Sequence, residues 1–242
     1  MAVNILITND DGMNAAQLLP LVRYCRKFGQ VEVAVPKVEQ SGKSHGIEIH
    51  KPFEAKQVAL ASDVTAWAVD STPADCVRFA VLGLHKKPDL VISGINRGLN
   101  IGTDILYSGT VGAAGEAVNL GIPALALSTT PQNYDAGHVL DQLDAVFAYL
   151  EEKNLYAFHS FYNVNIPAQP KGIRMTHQGG HYFSDTFPAE GEDMYRPTGF
   201  RIWQDRGDDT LDTDATLHGY ITITPLTADK TCWEIYKRFA EV

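Results

Sequence analysis

The stretch VNILITNDDG at residues 3–12 decides the fold, because a short apolar run ends abruptly in two acids and a glycine. Residues 3–8, VNILIT, are rich in β-branched side chains, which is typical of a strand buried inside a parallel sheet. Asp10 and Asp11 follow where that strand ends. Ligands of open α/β sheets bind beyond the carboxyl ends of the strands. This stretch therefore predicts a parallel sheet with a site at its edge.

The same pattern recurs along the chain and alternates with helical patterns. Apolar, strand-like runs lie at 31–36 (VEVAVP), 88–93 (PDLVIS) and 121–128 (GIPALALS). Thr72 can cap one helix, and the small residues at about 110–120 predict another. Strands that alternate with helices indicate an α/β fold, a Rossmann-like, doubly wound and mostly parallel sheet.

The chain changes character after about residue 155. YNVNIP at 162–167 and YITIT at 220–224 predict further strands, while Gly, Pro, aromatic and acidic residues fill the region between them. That region is too polar for a second core and too aromatic for a free linker. We therefore expect one domain over 1–242, with its core at about 1–155 and a β-rich C-terminal arm at about 156–242 that packs on another subunit.

The composition excludes some classes of function. Of 242 residues, 45% are hydrophobic and 20% charged, and the formal net charge is −9. This charge argues against a nucleic-acid polymer as partner, because phosphate backbones need clustered Lys and Arg. Three cysteines without a CxxC pair fit a reducing compartment. With neither a signal-peptide pattern nor a membrane span, the sequence predicts a cytoplasmic protein.

Asp10 and Asp11 are the strongest candidates for chemistry. Adjacent carboxylates at one strand end repel each other unless a cation lies beside them, which predicts a metal site. The alternative interpretation is that one of the two acids only caps the next helix.

Two further loops follow predicted strands at the same edge. SGKSHG at 41–46 is not a phosphate-binding P-loop, because Lys37 stands where that motif requires its first glycine. Its hydroxyl and backbone groups still offer ligands to a metal or a phosphate. Asn96, in SGINRGLN at 93–100, carries a side-chain carbonyl of the kind that hard cations bind.

The segment YSGTVGAAGEA at 107–117 predicts a phosphate site. Ser108, Gly109 and Thr110 precede a helix whose first turn consists of small residues, so free N–H groups and the positive end of the helix dipole lie there. The alternative is simple N-capping by Ser108 or Thr110.

Together these segments closely resemble the SurE family of nucleotidases. The similarity rests on the ordered combination of ILITNDDG, PDLVISGINRGLNIG, YSGTVGAAGEA and DTDATLHGYITITPL, and it covers nearly the whole chain. The resemblance implies a phosphatase for nucleoside 5′- and 3′-monophosphates, with short-chain polyphosphate as a further substrate of some members. It also implies homodimers or homotetramers formed through the C-terminal region.

The resemblance further implies which residues form the site. One divalent cation per subunit, Mg²⁺ or Mn²⁺, is expected at the positions matching Asp10, Asp11, Ser41 and Asn96. The predicted phosphate-binding residues are Asn9, Ser44, His45, Ser108, Gly109 and Thr110. His45 departs from the family pattern, because many members carry an Asn there that helps to hold phosphate. A protonated imidazole can do the same.

These observations combine into a hypothesis of metal-assisted hydrolysis. The cation neutralises phosphate charge and lowers the pKa of a water that attacks phosphorus in line, while Asp10 or Asp11 orients or deprotonates that water. A haloacid-dehalogenase-type phosphatase needs Asp at positions i and i+2, where this chain has Asn9 and Asp11. A receiver domain needs an acceptor Asp after a later strand, where PDLVIS leads to Gly94 and Asn96. A metal-dependent nucleotide-binding module without turnover remains an alternative.

Overall fold

A computed structural model describes residues 3–240 and is built around one large sheet. The strands are, in chain order, β1 Val3–Thr8, β2 Gly29–Pro36, β3 Ala55–Ala61, β4 Val64–Val69, β5 Leu90–Arg97, β6 Ala124–Thr129, β7 Phe161–Ile166, β8 Ile173–Met175, β9 Phe183–Thr186, β10 Ala189–Gly191, β11 Met194–Tyr195, β12 Thr198–Arg201 and β13 Ile221–Pro225. Nine of them form the sheet in the order β3-β4-β2-β1-β5-β6-β7-β13-β8. The strands from β4 to β7 in that order pair in parallel.

Helices cover both faces of the sheet. They are α1 Leu18–Cys25, α2 Pro73–Arg78, α3 Gly109–Asn119, α4 Pro131–Ala136, α5 Leu143–Glu152, α6 Asp212–Leu217 and α7 Trp233–Phe239, with 3₁₀ helices at Gly102–Tyr107, His138–Gln142 and Leu155–Ala157 and a π-helix at Phe79–Gly83. Within residues 3–240, no helix has the length and apolar character needed to cross a membrane.

The strand residues alternate between two hydrophobic clusters, one on each face. Ile5 and Ile7 of β1 join the cluster beneath α1 and α5, whereas Leu6 joins the cluster beneath α2 and α3. This period of two follows from strand geometry, and apolar side chains on both sides explain why the strand sequences are continuous apolar runs. The predicted doubly wound α/β fold is therefore confirmed.

The first edge of the sheet carries a hairpin that the sequence pattern does not predict. It consists of the antiparallel strands β3 and β4. Ser62 and Asp63 form its turn. β3 is an edge strand whose faces are mixed in exposure, so its sequence AKQVALA lacks the clear alternation that identifies a half-buried strand.

The region after residue 155 divides between the sheet and an arm. β7, β13 and β8 complete the sheet, with β13 antiparallel to β7. Between them, β9 pairs with β12 and β10 with β11 in two small antiparallel sheets. Large apolar side chains on these hairpins and on α7 are exposed, for example Phe187, Tyr195 and Phe239. The packing of this arm on another subunit stays a prediction.

Candidate active site

The carboxyl ends of β1, β2 and β5 meet at one edge of the sheet. β1 lies between β2 and β5, at the point where the strand order reverses, and such points are the usual ligand sites of open sheets. The loop after β2 folds over the loop after β1, because Gln40 N donates to Asp10 O at 2.7 Å. Gly12 allows this approach: its φ is 86°, and a Cβ there would lie 2.8 Å from Val38 C. The residues that follow Val38 are thereby brought beside the two acids.

A bulge in β5 places Asn96 beside the two acids. The pairing with β6 shifts between Ser93 and Asn96, and Gly94 takes a φ of 142° at which a Cβ would collide with Leu127 O. Such a bulge changes the direction of the side chains that follow it. The Nδ2 of Asn96 donates to Gly98 O at 2.9 Å, so its carbonyl oxygen Oδ1 is the atom available to a ligand.

These segments surround a cleft of about 510 Å³, which we call the carboxylate cleft. Five predicted site residues line it, namely Asp10, Asp11, Ser41, Asn96 and Ser108. Seven other lining residues were not predicted as site residues, namely Glu39, Gly42, Arg97, Asn100, Asp104, Tyr107 and Phe183. Glu39 follows the end of β2 by only three residues, so its place after a parallel strand is the signal that could have identified it.

Asp10 is fixed at the bottom of the cleft. It is 4% exposed, and its Oδ1 accepts a hydrogen bond from the Thr110 hydroxyl. Gly109 packs directly on it, because a Cβ at that position would lie 3.2 Å from Asp10 Oδ2. Burial raises the pKa of Asp10 above its ordinary value, although hydrogen bonds from Thr110 oppose the rise. The carboxyl is therefore held in place by neutral donors.

Asp11 is less buried than Asp10 and has fewer partners. Its Oδ2 accepts from Arg97 N at 3.1 Å. Burial, followed by the charge of Asp10, raises the pKa of Asp11 to about 6. Among the residues that the structure describes, Arg97 is the only cationic side chain lining the cleft, and its guanidinium pairs with Asp135 at 2.7 Å. The two adjacent carboxyls thus lie in an acidic cleft, and neither forms an ion pair with another side chain of the described part of the chain.

The donor set fits a hard divalent cation. Asp10, Asp11, Ser41 and Asn96 offer only oxygen atoms, two from carboxyl groups and two from neutral groups, which suits Mg²⁺-like ions that keep several waters. Within residues 3–240 there is no cluster of three or more His, Cys, Asp and Glu side chains with metal-binding geometry. A closed site of the structural zinc type does not match this donor set.

Of the predicted phosphate-binding residues, those at the start of α3 lie nearest the two acids. Ser108 caps α3, with its Oγ accepting from Val111 N at 3.1 Å, and it lines the cleft. Gly109 contacts Asp10, as described above. Thr110 is completely buried, and its hydroxyl is engaged by Asp10, so its contact is with the carboxyl.

The other three predicted phosphate ligands are placed differently. The side chain of Asn9 is buried and bonds at both ends to Gly12, through Gly12 N at 3.0 Å and Gly12 O at 3.1 Å. Ser44 donates its hydroxyl to Leu106 O at 2.6 Å. Ser44 and His45 line a neighbouring cleft of about 460 Å³ that shares Ser108 with the first. The structure therefore does not bring Ser44 and His45 into the carboxylate cleft.

His45 instead contacts Glu116, a residue of α3 that also binds Arg78 of α2. Its Nε2 lies 2.7 Å from Oε2 of Glu116, whose other oxygen accepts from Arg78 at 2.8 Å. Glu116 is 4% exposed. Burial favours a raised pKa for this carboxyl, but the bonds from His45 and Arg78 outweigh burial and lower its pKa. The loop reaches α3 because Gly112 leaves no side chain in its way, since a Cβ there would collide with Ser44 O.

Comparison with known proteins places the chain in a family. The family described as "Survival protein SurE" matches residues 5–185. A protein of Caldanaerobacter subterraneus subsp. tengcongensis named 5′-nucleotidase SurE is 38% identical, over 98% of this chain and 96% of that protein. Another of that name, from Thermosipho melanesiensis, is 36% identical over 99% and 97%. The crystal structure of SurE protein from Aquifex aeolicus superposes with a TM-score of 0.74 at 31% identity, over 98% of each chain. The chain belongs to the SurE family.

Proposed function

We propose that this protein is a divalent-metal-dependent 5′-nucleotidase that hydrolyses nucleoside monophosphates to nucleoside and phosphate. The observation that carries the proposal is the carboxyl pair Asp10–Asp11 in an acidic cleft at the carboxyl edge of the sheet, where no side chain of residues 3–240 forms an ion pair with either acid. The relatives named 5′-nucleotidase SurE span almost the same length and support the reaction class.

Asp10, Asp11, Ser41 and Asn96 would hold the cation, with Mg²⁺ or Mn²⁺ suited to such oxygen donors and one ion per subunit. When bound, the cation supplies charge neutralisation for the phosphate and makes water more acidic. This matters here because a phosphate dianion cannot enter a cleft lined by four carboxyl side chains without compensating charge. Asp10, Asp11, Glu39 and Asp104 provide those four carboxyls.

The protein's own residues divide the remaining work. Thr110 holds Asp10 in one orientation, so that this carboxyl acts as a fixed ligand. Asp11 keeps one oxygen, Oδ1, outside its hydrogen bond with Arg97 N. With a pKa of about 6, Asp11 is ionised at neutral pH and can accept a proton from the attacking water. Ser108 and the first N–H groups of α3 would bind phosphate oxygens.

The wider substrate range and the assembly are part of the same proposal. We propose nucleoside 3′-monophosphates and short-chain polyphosphate as further substrates, because a cleft of about 510 Å³ is larger than a phosphate group needs and leaves room for different leaving groups. We also propose a homodimer or homotetramer formed through the arm after residue 155, whose exposed Phe187, Met194 and Tyr195 offer apolar contact area.

Phosphate release from a panel of nucleoside 5′- and 3′-monophosphates and tripolyphosphate tests the proposal. The panel is measured with Mg²⁺, with Mn²⁺ and with chelator, for the wild type, Asp11→Asn and the control Asp63→Asn. Asp63 precedes β4, a strand parallel to β2, so it lies at the opposite edge of the sheet. We expect metal-dependent release that falls by about a hundredfold or more in Asp11→Asn and is kept in Asp63→Asn.

The alternative of a nucleotide-binding module without turnover predicts a different result. Folded wild-type protein would then bind metal and nucleotide but release no phosphate from any member of the panel.

A further inference from the structure

Two aromatic side chains lie in the carboxylate cleft without being covered. Tyr107 is 66% exposed and Phe183 is 49% exposed, yet both line the same cleft as Asp10, Asp11 and Asn96. The other residues lining this cleft are polar, charged or glycine. Exposed aromatic rings at the wall of a polar cleft offer apolar area that a bound ligand can remove from water.

The backbone on either side of both rings is held in place. Tyr107 ends the 3₁₀ helix Gly102–Tyr107, and its carbonyl accepts from Ser44 N at 3.0 Å. Phe183 begins β9, and its N–H donates to Asp104 Oδ2 at 2.8 Å. Since Asp104 lies in that same 3₁₀ helix, it connects the backbones that carry the two rings.

Further contacts keep the start of the arm on this helix. Thr103 N donates to Gly180 O at 3.2 Å, and Gln178 Nε2 donates to Gly102 O at 3.0 Å. The ring of Phe183 also packs edge-to-face against Tyr182, with 4.5 Å between centroids. The backbones that carry the two rings are therefore preorganised, which lowers part of the entropic cost of binding a ligand.

The size and chemistry of the cleft indicate what covers these rings. A volume of about 510 Å³ is within the range of pockets for whole small molecules and is far larger than a phosphate group needs. The acidic end of the cleft suits the phosphate and its cation. The aromatic end suits a flat, uncharged group, and nucleobases stack on aromatic side chains whatever their sequence identity.

We infer that Tyr107 and Phe183 form a stacking platform for the nucleobase of the substrate, so that the cleft selects nucleotides over phosphate esters that lack a base. This inference rests on the proposed function and adds the residues that recognise the leaving group. Because stacking uses the face of the ring and needs no specific hydrogen bond, the platform accepts more than one base.

The test compares two substrates that differ only in the base. The ratio of kcat/KM for AMP to kcat/KM for ribose 5-phosphate is measured for the wild type, Tyr107→Ala and Phe183→Ala. We expect this ratio to fall about tenfold in each alanine variant. The conservative variants Tyr107→Phe and Phe183→Tyr should keep it. Leu106→Ala and Phe158→Ala, which remove exposed apolar side chains outside the cleft, should also leave the ratio unchanged.

A second measurement does not depend on the alanine variants. Adenosine, which has the base but no phosphate, should inhibit wild-type hydrolysis of ribose 5-phosphate competitively. An unchanged ratio in both alanine variants, or an absence of inhibition by adenosine, overturns the platform while leaving the nucleotidase proposal in place. Failure of the wild type to release phosphate from either substrate instead overturns the proposed function, and the platform with it.

Discussion

The pair Asp10–Asp11 and the carboxyl of Glu116 are both withdrawn from solvent, but their surroundings treat them in opposite ways. Around Asp10 and Asp11 the hydrogen-bond donors are neutral, and the pKa of each carboxyl is raised by burial. Around Glu116 the donors are His45 and Arg78, and its pKa is lowered. A carboxyl whose charge is already matched by a guanidinium gains little from a metal ion, whereas a carboxyl that lacks such a partner favours the binding of a cation from solution.

Asp212 shows that a raised pKa alone does not identify such a site. Burial raises its pKa, but its oxygens accept from Gly102 N at 3.0 Å and from Gly179 N at 2.7 Å. It therefore holds two loops together and lies outside the carboxylate cleft. The distinguishing property of Asp10 and Asp11 is the combination of raised pKa, adjacency and an open cleft with further oxygen donors.

The largest expected difference is in activity, when Asp10 and Glu116 are each replaced by the corresponding amide. Asp10→Asn removes a charge from the proposed metal site, and we expect kcat/KM for AMP to fall by about a hundredfold to a thousandfold. Glu116→Gln removes a charge outside the carboxylate cleft, so we expect the loss to remain below about tenfold. Steady-state kinetics at saturating Mg²⁺ measure both. Equal losses would show that the two carboxyls do not differ in function.

The free energy of unfolding should respond in the opposite order, with a larger loss in Glu116→Gln than in Asp10→Asn. Glu116→Gln leaves His45 and Arg78 without their shared anion. We expect the free energy of unfolding, measured by urea denaturation, to fall by about 1–2 kcal/mol. The value stays below that of a fully buried pair because both partners are partly exposed and therefore screened. Asp63→Asn, which affects an exposed ion pair with Arg26, is the control and should change stability less.

The stability of the metal-free protein should depend on pH through the raised pKa of Asp11. A carboxyl whose pKa is raised in the folded state stabilises the fold below its ordinary pKa, and this contribution is lost as the pH rises through the folded value. For Asp11 that window runs from about 4 to about 6. Asp11→Asn should therefore stabilise the metal-free protein by roughly 1 kcal/mol at pH 8 and have no effect near pH 4. A stabilisation independent of pH would contradict the assigned pKa.

His218 provides the smallest expected effect. Asp205 lies 3.0 Å from its Nε2 and Asp209 lies 2.6 Å from its Nδ1, and their hydrogen bonds raise its pKa. A raised histidine pKa stabilises the fold fully below the ordinary value, and the contribution disappears as the pH rises through the folded value. His218→Gln should cost a few tenths of a kcal/mol near pH 5.5 and less at pH 9. Thermal unfolding at both pH values measures this difference.

The elements found from sequence are those whose signal is local. Asp10, Asp11 and Asn96 follow apolar runs, and the edge of a parallel sheet brings such positions together whatever else the fold does. Ser108 was recognisable because it precedes a helix of small residues. For these residues, strand ends and helix caps are sufficient information.

The residues that sequence reasoning missed or placed elsewhere depend on contacts between distant segments. His45 contacts Glu116 of α3, about seventy positions later in the chain. The loop of His45 packs against α3 because Gly112 has no side chain there. Phe183 lies in the cleft because Gly102, Thr103 and Asp104 bind the start of the arm. None of these contacts leaves a local pattern, so the aromatic end of the cleft could not be derived from motif spacing.

A titration with Mn²⁺ shows directly whether Asp10 and Asp11 form a cation site. The free Mn²⁺ signal in electron paramagnetic resonance is followed as protein is added, for the wild type, Asp11→Asn and Asp63→Asn. We predict about one ion bound per chain in the wild type and in Asp63→Asn, and at least a tenfold weaker affinity in Asp11→Asn. Equal affinity in the wild type and Asp11→Asn would contradict the assignment of the site.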